Sequence, residues 1–158
     1  MESSKEIERL KRKLIGLWDV ELTRTKLGGP KVTGMGILLA KETAQGHAIF
    51  AEFGLSIPDT DPYEEGEFWW VDNQDNKVHL FCVNSREEGR EQTGRWKDEN
   101  TLVLEWNGIQ EGKQISATFT FTWVSSDEIH VLRVDRVQGE KGPVSIFTLK
   151  RQKEMTLA

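Results

Sequence analysis

The chain has one cysteine, Cys82, in 158 residues. That excludes an intrachain disulfide framework and any multi-cysteine zinc or iron–sulfur centre. It has four prolines and one tyrosine, and no run approaches the ~18 to 20 apolar residues of a membrane-spanning helix. Basic residues are also in deficit. Lys and Arg number 21 against 26 Asp and Glu, for a formal charge of -5 and a pI near 5.3, a balance that repels phosphate backbones and argues against nucleic-acid partners. The opening MESSKEIERLKRK has no continuous apolar segment of the secretory kind. The expectation is therefore a cytoplasmic protein with no membrane insertion. Low-complexity tracts and internal repeats of solenoid or propeller length are missing as well.

What is present is one helical pattern followed by sustained alternation. Ile7, Leu10 and Leu14 fall on one helical face, Ser3 and Glu6 have the spacing of a capping box, and Gly16 is a stop. The length suits one domain over 1–158, with a helix at 3–15 and a barrel at 17–151. Ten stretches alternate apolar with polar: Leu17–Lys26, Lys31–Lys41, His47–Ser56, Glu67–Asp72, Lys77–Asn84, Arg90–Lys97, Thr101–Trp106, Lys113–Val124, Glu128–Arg136 and Val144–Arg151. Their separators are short and rich in turn formers, among them Asn107-Gly108. Ile57–Gly66, with two prolines and four acids, reads as the one long loop. The fold class this predicts is all-β, an antiparallel up-and-down barrel of about ten strands with a short N-terminal helix.

Alternation also nominates what lies inside. Phe119, Phe121 and Trp123 share a face with Ala117, and Leu102, Leu104 and Trp106 share another, so Trp106 and Trp123 are expected to meet on neighbouring strands and look inward. His79 shares a face with Phe81 and is expected in the core or cavity. Glu52 and Arg133 sit within apolar strands, where a buried charge needs a partner, and they are one possible pair. Trp69 and Trp70 point to opposite sides. The six tryptophans either fill a core or line a cavity. The candidate ligand-binding set is Trp106, Trp123, Phe119, Phe121, His79, Phe81, Glu52 and Arg133.

No catalytic residue is assigned. His47, His79 and His130 lie on different strands without ligand spacing, so no metal site is expected. Glu64-Glu65 and Glu87-Glu88 sit in expected turns, where they should be exposed and weak as acid–base groups. The acids around Asp59 and Asp61 read as a solvated loop rather than a calcium site. Cys82 faces away from His79 and reads as a buried, inert thiol.

Gly16-Leu17-Trp18-Asp19-Val20, directly after a short helix, resembles the start of a lipocalin or fatty-acid-binding protein. In such calycin barrels a Gly-x-Trp packs across the closed end, often under a late basic residue, and Arg133, Lys150 and Arg151 are candidates for that cover. Met35–Phe53, the late strand carrying Trp123 and Asp127–Val131 extend the resemblance to an uncharacterised family of stand-alone calycin-like proteins. Nitrobindin-type haem barrels are similar more remotely. Their alternating glycines correspond here to Val20, Leu22 and Arg24, and Val144–Arg151 contains no histidine, so no cofactor is expected. The resemblance implies binding of a small, partly apolar ligand in the barrel. An enzyme using the same cavity, and a filled barrel working as a structural or homodimeric module, are the alternatives.

Overall fold

A computed structural model describes residues 4–25 and 28–153. Ser3 lies outside the described residues, and the helix α1 (Lys5–Leu14) is capped by Ser4, whose hydroxyl accepts the Ile7 N–H at 3.2 Å. Ten strands follow: β1 (Gly16–Thr25), β2 (Lys31–Thr43), β3 (Ala48–Ser56), β4 (Tyr63–Val71), β5 (Val78–Asn84), β6 (Gly89–Asp98), β7 (Thr101–Gln110), β8 (Lys113–Ser125), β9 (Glu128–Val137) and β10 (Glu140–Arg151). Each pairs antiparallel with the next, and β1 pairs with β10 to close the barrel. Closure leaves no unpaired sheet edge, which long alternating strands would otherwise expose to association.

Several strands are longer than their turn signals suggest, β10 among them with a start at Glu140 rather than Val144, and two of them shape the cavity wall. β4 begins at Tyr63, four residues ahead of the expected Glu67, so Glu64 and Glu65 lie in a strand opposite Gly54 and Phe53. β7 continues through Asn107-Gly108 to Gln110, and the hairpin to β8 is made by Glu111-Gly112, both at positive φ. That pair has the twist a two-residue antiparallel hairpin requires, whereas Asn107 and Gly108 pair across the ladder with Ser116 and Ile115. Gly108 has a different use. A Cβ there would lie 2.6 Å from the Trp106 indole, so the glycine leaves room for that ring to lie along its own strand.

The N-terminal helix closes one end. Ile7, Leu10 and Leu14 are buried against Trp18, Ile49, Leu102 and Ile129 in one apolar cluster. The last turn of a helix leaves carbonyls without intrahelical partners, and here three are taken by the barrel. Trp18 Nε1 donates to Leu14 O at 2.9 Å, Trp123 Nε1 donates to Lys13 O at 2.8 Å, and Arg151 Nη1 donates to Ile15 O. The register places Arg151 directly across from Trp18, and its guanidinium lies 4.2 Å from the indole centroid. Of the three basic residues expected to cover Trp18, Arg151 does so. Gly16 permits the approach, since a Cβ there would collide with the Arg151 guanidinium. At the rim Arg9 donates to Asp98 O and Glu99 O at 2.8 and 2.7 Å and stacks on Trp96.

Trp18 is fully buried, so Trp18→Ala is expected to destabilise the protein by about 3–5 kcal/mol. Chemical unfolding checks this, and an unchanged midpoint would remove the plug from the account.

Candidate functional site

Alternation sends one face of every strand inward, and those side chains do not fill the barrel. A cavity of about 890 Å³ remains above the helix-closed end, toward the upper part of the range for small-molecule sites. Its lower wall is apolar, with Leu14, Val20, Leu38, Trp69, Phe121 and Leu149 among the lining residues. Nearer the open end, polar groups gather in two clusters joined by the Phe119 ring, which has Arg90 on one side at 5.9 Å and Arg133 on another at 5.1 Å.

The first cluster belongs to β4, β5 and β6. Glu65 and Glu67 are each only 8% exposed, and Gln92 is 1% exposed. Glu65 Oε1 accepts from Tyr63 Oη at 2.7 Å and from Arg90 Nη2 at 3.1 Å. Glu67 Oε1 accepts from Trp69 Nε1 at 3.0 Å. Burial, reinforced by the charge of Glu65 beside it, pushes the Glu67 carboxyl well above its ordinary range, and the two side chains hydrogen bond to each other. Glu67 is therefore the member of the pair that retains its proton. Burial also raises the Tyr63 phenol and the Cys82 thiol, the latter with help from Glu67 and Glu65. Desolvation works against the Arg90 cation, but Glu65 and its neighbours outweigh it and the net shift is upward. Gln92 Nε2 reaches Cys82 Sγ at 3.8 Å, while Gln92 Oε1 has no hydrogen-bond partner.

The second cluster belongs to β1, β9 and β10. Arg133 Nε donates to Asp135 Oδ1 at 2.7 Å. Arg24 lines the same part of the cavity, and its Nε is buried without an acceptor. Burial first, and the like charge of Arg133 second, lower its pKa. Two guanidiniums thus stand near one carboxylate, which is bonded to Arg133 and not to Arg24.

Of the eight residues nominated from sequence, Trp106, Phe119, Phe121 and Arg133 line the cavity. Trp123 is buried but lies below it, between Trp96 at 5.2 Å and Phe121 at 6.3 Å. Trp106 and Trp123 do not meet: Trp106 pairs with Ala117, at the other end of β8 from Trp123. His79, Phe81 and Glu52 are on the outer surface. The inner face of β5 is Val78, Leu80 and Cys82, which leaves His79 outside, stacked on Trp70 at 5.1 Å and bonded to Glu91 and Asp75. Phe81 is 41% exposed. Glu52 is exposed opposite Gly66 and cannot pair with Arg133, which uses Asp135. Trp69 is the internal member of its pair, and Trp70 the external one.

The largest omission from the sequence reading is the wall of Tyr63, Glu65, Glu67, Arg90 and Gln92. Its signal was available, because Tyr63, Glu65 and Glu67 are in phase with Trp69. The prolines and acids of the preceding loop hid the start of the strand.

No family model and no curated protein matches this chain. Solved structures do match over nearly the whole length. The S-type phycobiliprotein lyase CPES from Guillardia theta aligns with a TM-score of 0.67 at 12% identity, covering 94% of each chain. Rv2717c from M. tuberculosis aligns at 0.71 and 12% identity, covering 96% of this chain and 100% of that one. The barrel fold is lipocalin-like. EF1p2_mFAP2b, solved with DFHBI bound, aligns at 0.52 and 14% identity over 92% of this chain and 99% of that one. At these identities the likeness to the lipocalin-like barrels is one of fold. No helix among the described residues is long and apolar enough to cross a membrane.

The Glu67 shift has a testable sign. Above its ordinary value of 4.5, the unfolded chain releases the proton while the native carboxyl keeps it, so this group's contribution to stability declines as pH rises. Glu67→Gln keeps an acceptor for Trp69 and a donor for Glu65. Urea unfolding from about pH 5 to about pH 8 should show the variant gaining stability relative to the parent as pH increases. A constant difference would mean that Glu67 ionises normally.

Proposed function

We propose that this protein binds a small, partly apolar molecule inside its barrel, with an anionic group held by Arg24 and Arg133 and the apolar part against Phe53, Phe119, Phe121 and Trp106. The observation that carries the reading is the imbalance at the second cluster, where Arg24 has a buried donor without an acceptor beside a second guanidinium. A buried unsatisfied donor costs about 1–3 kcal/mol. An anion between the two arginines removes that cost and converts their mutual repulsion into attraction, through bidentate charge-assisted hydrogen bonds.

The apolar lining supplies affinity with little directional demand, and the arginines supply selectivity. Lipocalin-like neighbours support a carrier reading to the extent that one is named a phycobiliprotein lyase and another was solved with DFHBI bound. A filled barrel, one of the alternatives, sits poorly with a cavity of about 890 Å³. The polar wall of Glu65, Glu67 and Arg90 is what an enzyme in this cavity would use. A second reading, association of two copies, is favoured by one outer feature: Phe50, Phe68 and Phe81 form a row across three strands, with Phe68 47% exposed.

Titrating matched carboxylates, alcohols and amides with fatty, terpenoid or aromatic tails should perturb tryptophan emission saturably, with the carboxylates binding best. Arg24→Met is expected to weaken carboxylates by ~10-fold or more while leaving the neutral analogues nearly unchanged. Trp106→Ala should cost the best compound about 1–2 kcal/mol through lost contact area. Equal affinity for charged and neutral analogues in the parent protein would defeat the anion assignment, and an unresponsive emission across the panel would defeat the carrier reading.

A further inference from the structure

The first cluster contains more ionisable acids than its single cation can balance. Glu65, Glu67 and Cys82 each present a donor atom, all within 4.8 Å of one another, and all three residues are buried. Arg90 is the only cation bonded to them among the described residues. Full ionisation would leave two uncompensated negative charges in a desolvated wall, which is prohibitive. Two protons balance that charge; so does one divalent cation.

The donors are held as metal ligands usually are. Metal-bound carboxylates are oriented by outer hydrogen bonds, and here one oxygen of each carboxyl is already fixed from outside, Glu65 Oε1 by Tyr63 and Arg90, Glu67 Oε1 by Trp69. The second oxygens remain for the cluster. An independent feature points the same way. Gln92 is 1% exposed, its amide lies against Cys82 Sγ at 3.8 Å, and its carbonyl oxygen has no partner. The amide is thus aimed at the cluster through its nitrogen, and a half-turn about its last side-chain bond exchanges that nitrogen for the unpartnered oxygen, which supplies a fourth ligand. The set mixes one thiolate with three oxygens on three adjacent strands, and Glu65, Glu67 and Gln92 line a cavity that opens to solvent and gives an ion a route in.

We propose that Glu65, Glu67 and Cys82, with Gln92 as fourth ligand, form a binding site for a divalent transition-metal ion of the zinc class. Binding releases the Glu67 carboxyl proton and the Cys82 thiol proton to solvent, so the charge of the buried cluster is unchanged. Tetrahedral coordination with bonds of about 2.0–2.3 Å requires the donor atoms to draw closer than they stand, which side-chain rotation supplies without moving the strands.

Cobalt(II) is the probe, because thiolate ligation gives a near-ultraviolet charge-transfer band and four-coordinate geometry gives intense visible bands. The full chain should bind one equivalent with both signatures, and zinc should displace it. Cys82→Ala should abolish the charge-transfer band and weaken binding by at least ~10-fold, and Glu67→Gln should weaken it comparably. Gln92→Leu should weaken it less and shift the visible bands. His79→Ala is the discriminating control, since Asp72, Asp75 and His79 form a separate surface group of potential ligands. If His79→Ala rather than Cys82→Ala abolishes binding, or if cobalt binds the parent protein without a thiolate band, the proposal is overturned. Far-ultraviolet circular dichroism of each variant keeps a folding failure from passing for a lost ligand, and Gln92→Leu, which removes only an amide, tests the cluster without changing its charge.

Discussion

The arrangement depends on where the last carbonyls of the N-terminal helix find donors. Lys13, Leu14 and Ile15 hand their backbone oxygens to Trp123, Trp18 and Arg151, residues from the first strand, the eighth and the last. A helix end buried without partners would be costly. Supplying them from strands distant in sequence ties barrel closure to helix docking. Trp18 and Trp123 contribute through their polar edges as well as their area, which is why tryptophan at these positions cannot be exchanged for phenylalanine without orphaning a carbonyl. With one end sealed this way, space inside the barrel opens only toward the loops at the other end.

Polarity inside the barrel follows from that asymmetry. The sealed end is dry and apolar. Nearer the mouth, ionisable groups persist, and each has to be compensated at short range. Glu65 is compensated by Arg90, and Arg133 by Asp135. Glu67 is compensated by holding its proton, while Arg24 has no carboxylate hydrogen bond among the described contacts. A wall with a neutral acid on one side and an underused cation on the other selects among ligands more sharply than an apolar lining would. Phe119 separates the two sets while touching an arginine from each.

Much of the fold was legible because alternation is a local signal. Ten strands followed from it, as did the inner faces of β7 and β8 through Leu104 and Phe119, while the helix followed from the helical spacing of Ile7, Leu10 and Leu14 and the Trp18 plug from the resemblance to a lipocalin start. What alternation does not say is which face is inside when both are apolar. On β5 it separates Val78, Leu80 and Cys82 from His79, Phe81 and Val83, and only the register with Trp69 and Trp70 decides between them. His79 and Phe81 were misplaced for that reason. Glu65 was missed for another. Pro58, Pro62 and the acids between and after them read as loop, yet once Trp69 is inside, two-residue steps back along the strand put Glu67, Glu65 and Tyr63 inside as well. Charged residues in phase with a buried tryptophan were a stronger sign of a site than aromatic residues alone.

The central claim is that the barrel is hollow and holds an anionic, partly apolar molecule against Arg24 and Arg133. Diffraction from crystals of protein purified without unfolding, grown with the tightest-binding carboxylate, tests it most directly. The account predicts density within the space of about 890 Å³, with the carboxylate bridging Arg24 and Arg133 and the tail on Phe119 and Phe121. A ligand seated only on the outer aromatic row, or an interior closed by side chains with Arg24 turned to solvent, would contradict it.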